Sequence, residues 1–181
     1  MISNGRFRKT MYDPKRYPIW TQSLWGAIST LQMGHALGSA TWPTANLAIL
    51  FPIRVPVQQP VSQIFWLNGA AVSGNVDAGI YTMDGTRIYS TGSTAQSGIS
   101  SIQTVSFTEI TLGPASYYLA LSVNNTTATI QRITATLGAF VPQVIGLAEV
   151  ASSFALPATL TLASATNNYI PAVGIASGYT I

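Results

Sequence analysis

The chain has 181 residues, which is enough for one good hydrophobic core and short of two ordinary domains. Charged residues make up only 7% of it, against about 25% in an average soluble domain, while hydrophobic residues make up an ordinary 48%. This mixture excludes a disordered chain, which has low hydrophobicity or high net charge. A surface with so few charged residues does little to prevent association with other proteins. We therefore expect a subunit that has much of its surface in contacts.

Membrane and disulfide classes are also disfavoured. No apolar stretch reaches the roughly 18 residues that cross a membrane as a helix. The basic N-terminus is not followed by the apolar segment of a secretory signal. The absence of cysteine excludes a disulfide framework and a thiolate metal site. We therefore expect no membrane partner.

Positive charge is concentrated at the N-terminus. Five of the eight basic residues precede position 17, where only Asp13 opposes them, and the remainder sums to −1 from three basic and four acidic residues. Aromatic residues accompany them, and Tyr, Trp and Arg carry much of the binding energy of protein interfaces. The pattern favours an arm that docks on another protein; a loose terminus and, less favoured, nucleic-acid binding are the alternatives. The expected partner-binding residues are Arg6, Phe7, Arg8, Tyr12, Arg16, Tyr17 and Trp20.

The first 45 residues are predicted to form this N-terminal anchoring arm. Residues 1–21 should be extended, because Pro14 and Pro18 keep the residue before each of them out of the helical region. Apolar positions 24, 28 and 31 share one helical face, which favours a short helix over 22–33 that ends at Gly34.

Strand signals begin at about residue 46. The apolar run 47–51 is followed by Pro52, Pro56 and Pro60, which indicates an edge or irregular strand. A second strand is predicted over 61–67, where the strong turn dipeptide Asn68-Gly69 ends it.

The clearest local signal is a hairpin around Asp84-Gly85. The two residues tolerate the positive φ of a two-residue turn, which would pair 79–83 with 86–90. A loop rich in Gly, Ser and Thr follows over 91–101. Further strands are predicted over 102–112, 117–123 and 127–137, with weaker ones near 158–162 and 169–175.

These strands and turns recur at intervals of about 8–12 residues, which is typical of a sandwich or barrel. No helical crossover, which a parallel sheet would require, follows residue 46. The predicted fold class is therefore all-β: an antiparallel, jelly-roll-like β-sandwich over 46–181, preceded by the extended arm.

The sequence contains no recognisable set of catalytic residues. The only histidine is His35, and no motif singles out a serine that could join it and Asp77 in a triad. The acids Asp84, Glu109 and Glu149 do not cluster in the sequence with Asp77 or with one another. We therefore expect no enzyme activity, no cofactor and no metal site.

Sugar binding stays open as the alternative function. A β-sandwich can present aromatic side chains as a platform for carbohydrate, as in modules that recognise host surfaces. However, Tyr117 and Tyr118 are adjacent and must point to opposite faces, so at least one belongs to a core. The candidate residues are Trp66, Tyr81, Tyr89, Tyr117 and Tyr118.

The order of these turns resembles that of a recurrent sandwich in structural proteins of tailed bacteriophages. The likeness covers about residues 66–175 and is carried by Asn68-Gly69, the sequence Gly-Ile-Tyr-Thr-Met-Asp-Gly-Thr-Arg at 79–87, the small-residue loop at 90–98, Gly113-Pro114 and Tyr117-Tyr118. Members of that group serve as head decorations, fibres and tail components and have no catalytic residues. The resemblance implies a virion location, capsid or tail subunits as partners, and a homo-oligomer.

Overall fold

The structure is a computed structural model that describes residues 19–20, 37–134 and 146–177. Over these ranges the chain forms no helix and the following strands: β1 (Ile19–Trp20), β2 (Leu37–Thr41), β3 (Ala48–Val55), β4 (Gln59–Leu67), β5 (Asn75–Thr82), β6 (Arg87–Ser90), β7 (Thr94–Ala95), β8 (Ile102–Leu112), β9 (Ala115–Val123), β10 (Thr129–Thr134), β11 (Ala148–Val150), β12 (Ala163–Ser164), β13 (Tyr169–Pro171) and β14 (Val173–Ala176).

The strands form three sheets in which every pairing is antiparallel. A seven-stranded sheet has the order β12-β11-β3-β9-β5-β6, with β7 also pairing with β5. A four-stranded sheet has the order β1-β14-β4-β8, and a three-stranded sheet has the order β13-β10-β2. The prediction of an all-β, antiparallel sandwich is therefore confirmed.

Strand β9 shows how the layers pack. Leu119 and Leu121 point into the main core, which they share with Trp66 of the four-stranded sheet and Ile130 of the three-stranded sheet. Intervening residues such as Tyr118 point to the opposite face, where a second cluster forms. The seven-stranded sheet is thus covered on both faces, which explains why β9 reads as a nearly continuous apolar run.

Residues 156–160, here called the strap, cover the outer face of the seven-stranded sheet. Leu156 and Leu160 are buried in the second cluster. The strap bonds to the β5–β6 connection through Leu160 N–H to Gly85 O (2.9 Å) and Arg87 N–H to Ala158 O (2.9 Å). The strand predicted near 158–162 is wrong: this stretch contributes only an isolated bridge at Thr159.

The predicted hairpin is present, but its turn differs. Gly79 pairs with Ser90 and Ile80 with Tyr89, and then a bulge shifts the register. The connection spans residues 83–86 and is closed by Thr82 N–H bonding to Thr86 O at 2.9 Å. Among the residues of this connection, only Gly85 has a positive φ (88°). The two-residue turn is therefore corrected to a longer loop.

Strand β3 is interior along one half and an edge along the other. Ala48 to Leu50 pair with both β11 and β9, whereas residues 51–55 pair with β9 alone. Pro52, which cannot donate a hydrogen bond, lies in the half where β11 has ended. The edge predicted from the prolines is thus correct only for the second half of the strand.

Asn68-Gly69 does not form a hairpin turn. Strand β4 pairs with β14 and β8 and not with the next strand along the chain. Asn68 is fully buried and bridges to Ile130. The predicted turn dipeptide is instead the point where the chain crosses between sheets.

The body also includes residues that precede position 46. Strand β2 pairs with β10 from Thr41↔Thr129 to Leu37↔Ile133. Trp42 is 1% exposed, and its ring packs edge-on against Tyr169. The helix predicted over 22–33 lies outside the described residues.

Candidate attachment site

Of the seven predicted anchors, the structure describes only the backbone of Trp20. Trp20 lies opposite Gly174 and Ile19 lies opposite Ile175, so that β1 is an edge strand beside β14. The other six anchors, Arg6, Phe7, Arg8, Tyr12, Arg16 and Tyr17, lie outside the described residues.

Strand β14 is well suited to receive the arm. Val173, Gly174 and Ile175 are buried, and β14 pairs on its other side with β4. A strand left at this edge would expose unpaired N–H and C=O groups, which β1 satisfies. Ile19 and Trp20, which lie within the predicted arm, therefore pair with β14 through their main chain. The sequence signal for it is small: two strand-forming residues directly after Pro18.

Asp77 is fully buried beneath the strap and has a structural set of partners. Its carboxylate accepts hydrogen bonds from Ser90 Oγ (2.8 and 3.0 Å), Thr91 Oγ1 (3.1 Å) and the Leu156 N–H (2.9 Å). Since Asp77 is 0% exposed, its carboxylate cannot meet a substrate in this conformation. Its role here is to hold the strap against β5.

Two neighbouring side chains complete this attachment of the strap. The Tyr81 hydroxyl donates to Pro157 O at 2.6 Å, and Arg87 Nη1 donates to Leu156 O. Burial raises the pKa of Tyr81, while the positive charge of Arg87 opposes and the carboxylate of Asp77 adds to that rise. Tyr81 is therefore a neutral hydrogen-bond donor at ordinary pH.

The remaining acids also have structural explanations or stand apart. Glu149 is buried and accepts from the Thr166 N–H (3.1 Å) and the Asn167 N–H (2.9 Å), which orders the loop before β13. Asp84 is exposed, and its hydrogen bond from Thr82, followed by that from the Thr86 N–H, holds its pKa below the usual value. In the described ranges, no three His, Cys, Asp or Glu side chains group closely enough to hold a metal ion.

The aromatic residues considered for sugar binding are mostly internal. Trp66 and Tyr81 are 0% exposed, Tyr117 and Tyr118 are 9% and 8% exposed, and the two adjacent tyrosines point into different clusters. Only Tyr89 is half-buried, and its ring stacks on Phe107 with centroids 3.8 Å apart. The prediction that at least one of Tyr117 and Tyr118 is core is confirmed for both.

A buried amide network near one end of the sandwich was missed by sequence reasoning. Asn68 Oδ1 accepts from Trp66 Nε1 and Gln96 Nε2, both at 3.0 Å. Asn68 Nδ2 donates to Ser97 O (2.6 Å) and to Gln103 Oε1 (3.0 Å). All four polar positions of the amide are therefore used within the fold. The polar loop 91–101 gave no sequence signal that Gln96 would turn inward.

The packing beside this network is too tight for a side chain at Gly69. A Cβ there would lie 2.3 Å from Ser39 Oγ and 2.4 Å from Thr129 Oγ1. The same hydroxyls accept from the Ala70 and Ala71 N–H groups, respectively, at 2.8 Å. Gly69 is thus required for close packing of this crossing against β2 and β10.

Comparison with known proteins adds no family. No protein-family model matches the chain, and no curated protein matches it significantly. Within the part of the chain that the structure covers, no helix is long and apolar enough to cross a membrane.

Proposed function

We propose that the chain is a non-enzymatic structural protein of a bacteriophage particle. In this proposal the basic, aromatic N-terminal arm docks on neighbouring capsid or tail subunits, and the sandwich packs beside them or projects from them. The observation that carries the proposal is that Ile19 and Trp20 pair with the edge of β14, directly after the basic and aromatic residues 1–18 of the sequence.

The distribution of charge in the body supports the same role. The described acids Asp77 and Glu149 are buried, so the acidic residues at its surface are Asp84 and Glu109. A surface with so few charges is typical of a subunit that contacts other proteins over much of its area. The strongly basic segment lies apart, in residues 1–18.

The length of the arm fits docking on a neighbour. Eighteen extended residues reach about 60 Å, which is the width of one or two small subunits. In this proposal the residues before β1 contact the neighbour without disturbing the core, because β1 itself pairs at a sheet edge. Arginine and aromatic side chains there would supply the energy of such contacts.

The carbohydrate-binding alternative rested on exposed aromatic side chains, and most of the candidates are buried. It needs two or more exposed aromatic rings on one face, and four of the five candidates are buried. Tyr89 alone is half-buried, and one face of its ring is covered by Phe107. No specific observation now favours this function over the particle role.

The test is competitive incorporation during assembly of the phage. Tagged wild-type protein would compete with a variant that lacks residues 1–18 and with the pair Arg6→Gln/Arg8→Gln. Arg54→Gln, which removes an exposed arginine of the body, is the matched control. We expect the first two variants to fold, as judged by circular dichroism, and to enter particles at least 10-fold less well. Incorporation of both at the wild-type level would rule out anchoring by the arm.

A further inference from the structure

The edge formed by β8 differs from the other sheet edges. Strand β8 has 11 residues, whereas the other strands that end a sheet, β1, β12, β13, β6 and β2, have 2, 2, 3, 4 and 5. Proteins usually keep edge strands short or covered, because an open edge can pair with another chain. The short β6 edge is in addition bonded to the strap.

Hydrogen bonds at the start of β8 show which of its backbone groups face outward. The Asn68 N–H bonds to Ser101 O at 2.9 Å, so these two residues form a bonded pair between β4 and β8. The Leu67 N–H instead points the other way and bonds to Ala172 O at 3.1 Å. Since bonded and non-bonded pairs alternate in an antiparallel ladder, Ile102, the partner of Leu67, directs its backbone away from β4.

The same alternation applies to Thr104 and Ser106. Their partners on β4 are Phe65 and Gln63, without a register shift up to that point. The side chains of Ile102, Thr104 and Ser106 are all exposed. Within the described ranges, none of residues 102–112 makes a backbone hydrogen bond outside its pairing with β4. The N–H and C=O groups of Ile102, Thr104 and Ser106 therefore point outward from the sheet edge without a backbone partner among the described residues.

We propose that this edge is a self-association surface, on which a second copy of the chain pairs through its own β8. Antiparallel pairing about a two-fold axis at Thr104 places Thr104 opposite Thr104 of the partner subunit. Ile102 then lies opposite Ser106 of the partner subunit, and each copy donates three N–H groups to the other. The two four-stranded sheets become one continuous sheet.

Three features of β8 favour a second copy as the occupant. Residues 102–106 carry no charge, so two copies meet without repulsion, and a cross-strand threonine pair is favourable. The exposed Ile102, at 62%, gains cover from the partner. A register shift between Ser106 and Ile110, a stretch that includes the exposed Glu109, ends the straight part of the edge.

The pairing also closes on itself. Within the described residues, the far side of the four-stranded sheet ends in β1, which has only 2 residues and is therefore not a second long edge. A two-fold contact of this kind gives a dimer and not a filament. This inference does not depend on the arm or on the proposed particle role.

Cysteine cross-linking tests the register directly, because the full-length chain contains no cysteine. In a bonded antiparallel pair the Cα atoms are about 5.5 Å apart, within the range of a disulfide. Thr111→Cys is the matched control on the same strand: its two copies would be fourteen positions apart, about 45 Å. We expect Thr104→Cys to form a covalent dimer under mild oxidation at least 10-fold faster than Thr111→Cys.

A second pair of variants tests association without a cross-link. Thr104→Lys would place like charges opposite each other on the axis, whereas Thr111→Lys adds the same charge outside the contact. Light scattering across a concentration series should show the dimer Kd rising at least 10-fold for the first and unchanged for the second. The proposal is overturned if the two cysteine variants cross-link at the same rate, or if Thr104→Lys leaves the dimer population as in wild type.

Discussion

Replacing Asp77 with alanine should release the strap from the seven-stranded sheet. The carboxylate accepts hydrogen bonds from Ser90, Thr91 and the backbone of Leu156, and all of these groups lie in or beside a buried cluster. Alanine offers none of them an acceptor. The two hydroxyls can rotate toward other oxygens, but the Leu156 N–H has no second acceptor among the described residues.

The expected loss follows from these partners. A buried donor left without an acceptor costs about 1–3 kcal/mol, and each bond to a charged group contributes about 1.5–3 kcal/mol. Removing the buried charge offsets part of this, because burying the carboxylate was itself unfavourable. We therefore expect Asp77→Ala to lower the free energy of unfolding by about 3 kcal/mol. Asp77→Asn keeps one acceptor oxygen and should lose about 1–2 kcal/mol.

Equilibrium urea unfolding measures the free energy, and amide hydrogen exchange locates the change. Exchange should accelerate first in the strap, where Leu160 N–H bonds to Gly85 O. Asp84→Ala, which removes an exposed acid, is the control and should change the free energy of unfolding far less than Asp77→Ala does. An Asp77→Ala protein within about 0.5 kcal/mol of wild type would refute the idea that this carboxylate holds the strap.

Three further outcomes are expected. Trp66→Phe removes the indole donor to Asn68 and should lower the free energy of unfolding by about 1–2 kcal/mol, measured in urea, whereas an unchanged free energy would mean that this hydrogen bond does not stabilise the fold. Gly69→Ala places a Cβ against two hydroxyl side chains and should lower Tm by several degrees in a thermal melt, and an unchanged Tm would contradict the tight packing. Burial raises the pKa of Tyr81 and Tyr169, so their contribution to stability is complete below the ordinary tyrosine value of about 10 and is lost as pH rises above it. The part of the tyrosinate absorbance that Tyr81→Phe and Tyr169→Phe remove should therefore appear only together with unfolding, and its appearance in the folded state would contradict this.

The β5–β6 hairpin was located correctly from the sequence, whereas the turn predicted at Asn68-Gly69 was wrong. The hairpin formed by β5 and β6 was predicted because Gly85 can adopt a positive φ and strand-forming residues flank it. The length of its loop was not predicted: the register shifts between Ile80 and Tyr81, and the Thr82 N–H bonds to Thr86 O. The strap, which is distant in sequence, bonds to the same connection through Gly85 O. Burial of Tyr117 and Tyr118 on opposite faces followed directly from the alternation of a strand.

The sequence analysis did not predict which polar residues are buried in the core. Asn68-Gly69 is a typical turn dipeptide, yet the amide of Asn68 is buried. Its hydrogen-bonding partners include Gln96, from a distant loop, and Gln103, from β8. Asp77 was considered only as a member of a catalytic triad or a carboxylate pair, and its hydroxyl partners come from Ser90 of β6 and from Thr91 directly after it. Such partners depend on which strands become neighbours, and sequence spacing does not encode that. Six of the seven predicted anchors lie outside the described residues, so their role in binding stays a prediction. The seventh is Trp20, whose backbone pairs with β14.

We propose that this protein is a structural part of a phage particle. The most direct measurement is quantitative mass spectrometry of particles purified by density gradient from the phage that encodes the chain, made before and after a wash in high salt. We predict the full chain at a fixed copy number relative to the major capsid subunit, retained through the wash. Its absence from the particles, or a trace amount that the wash removes, would contradict the account.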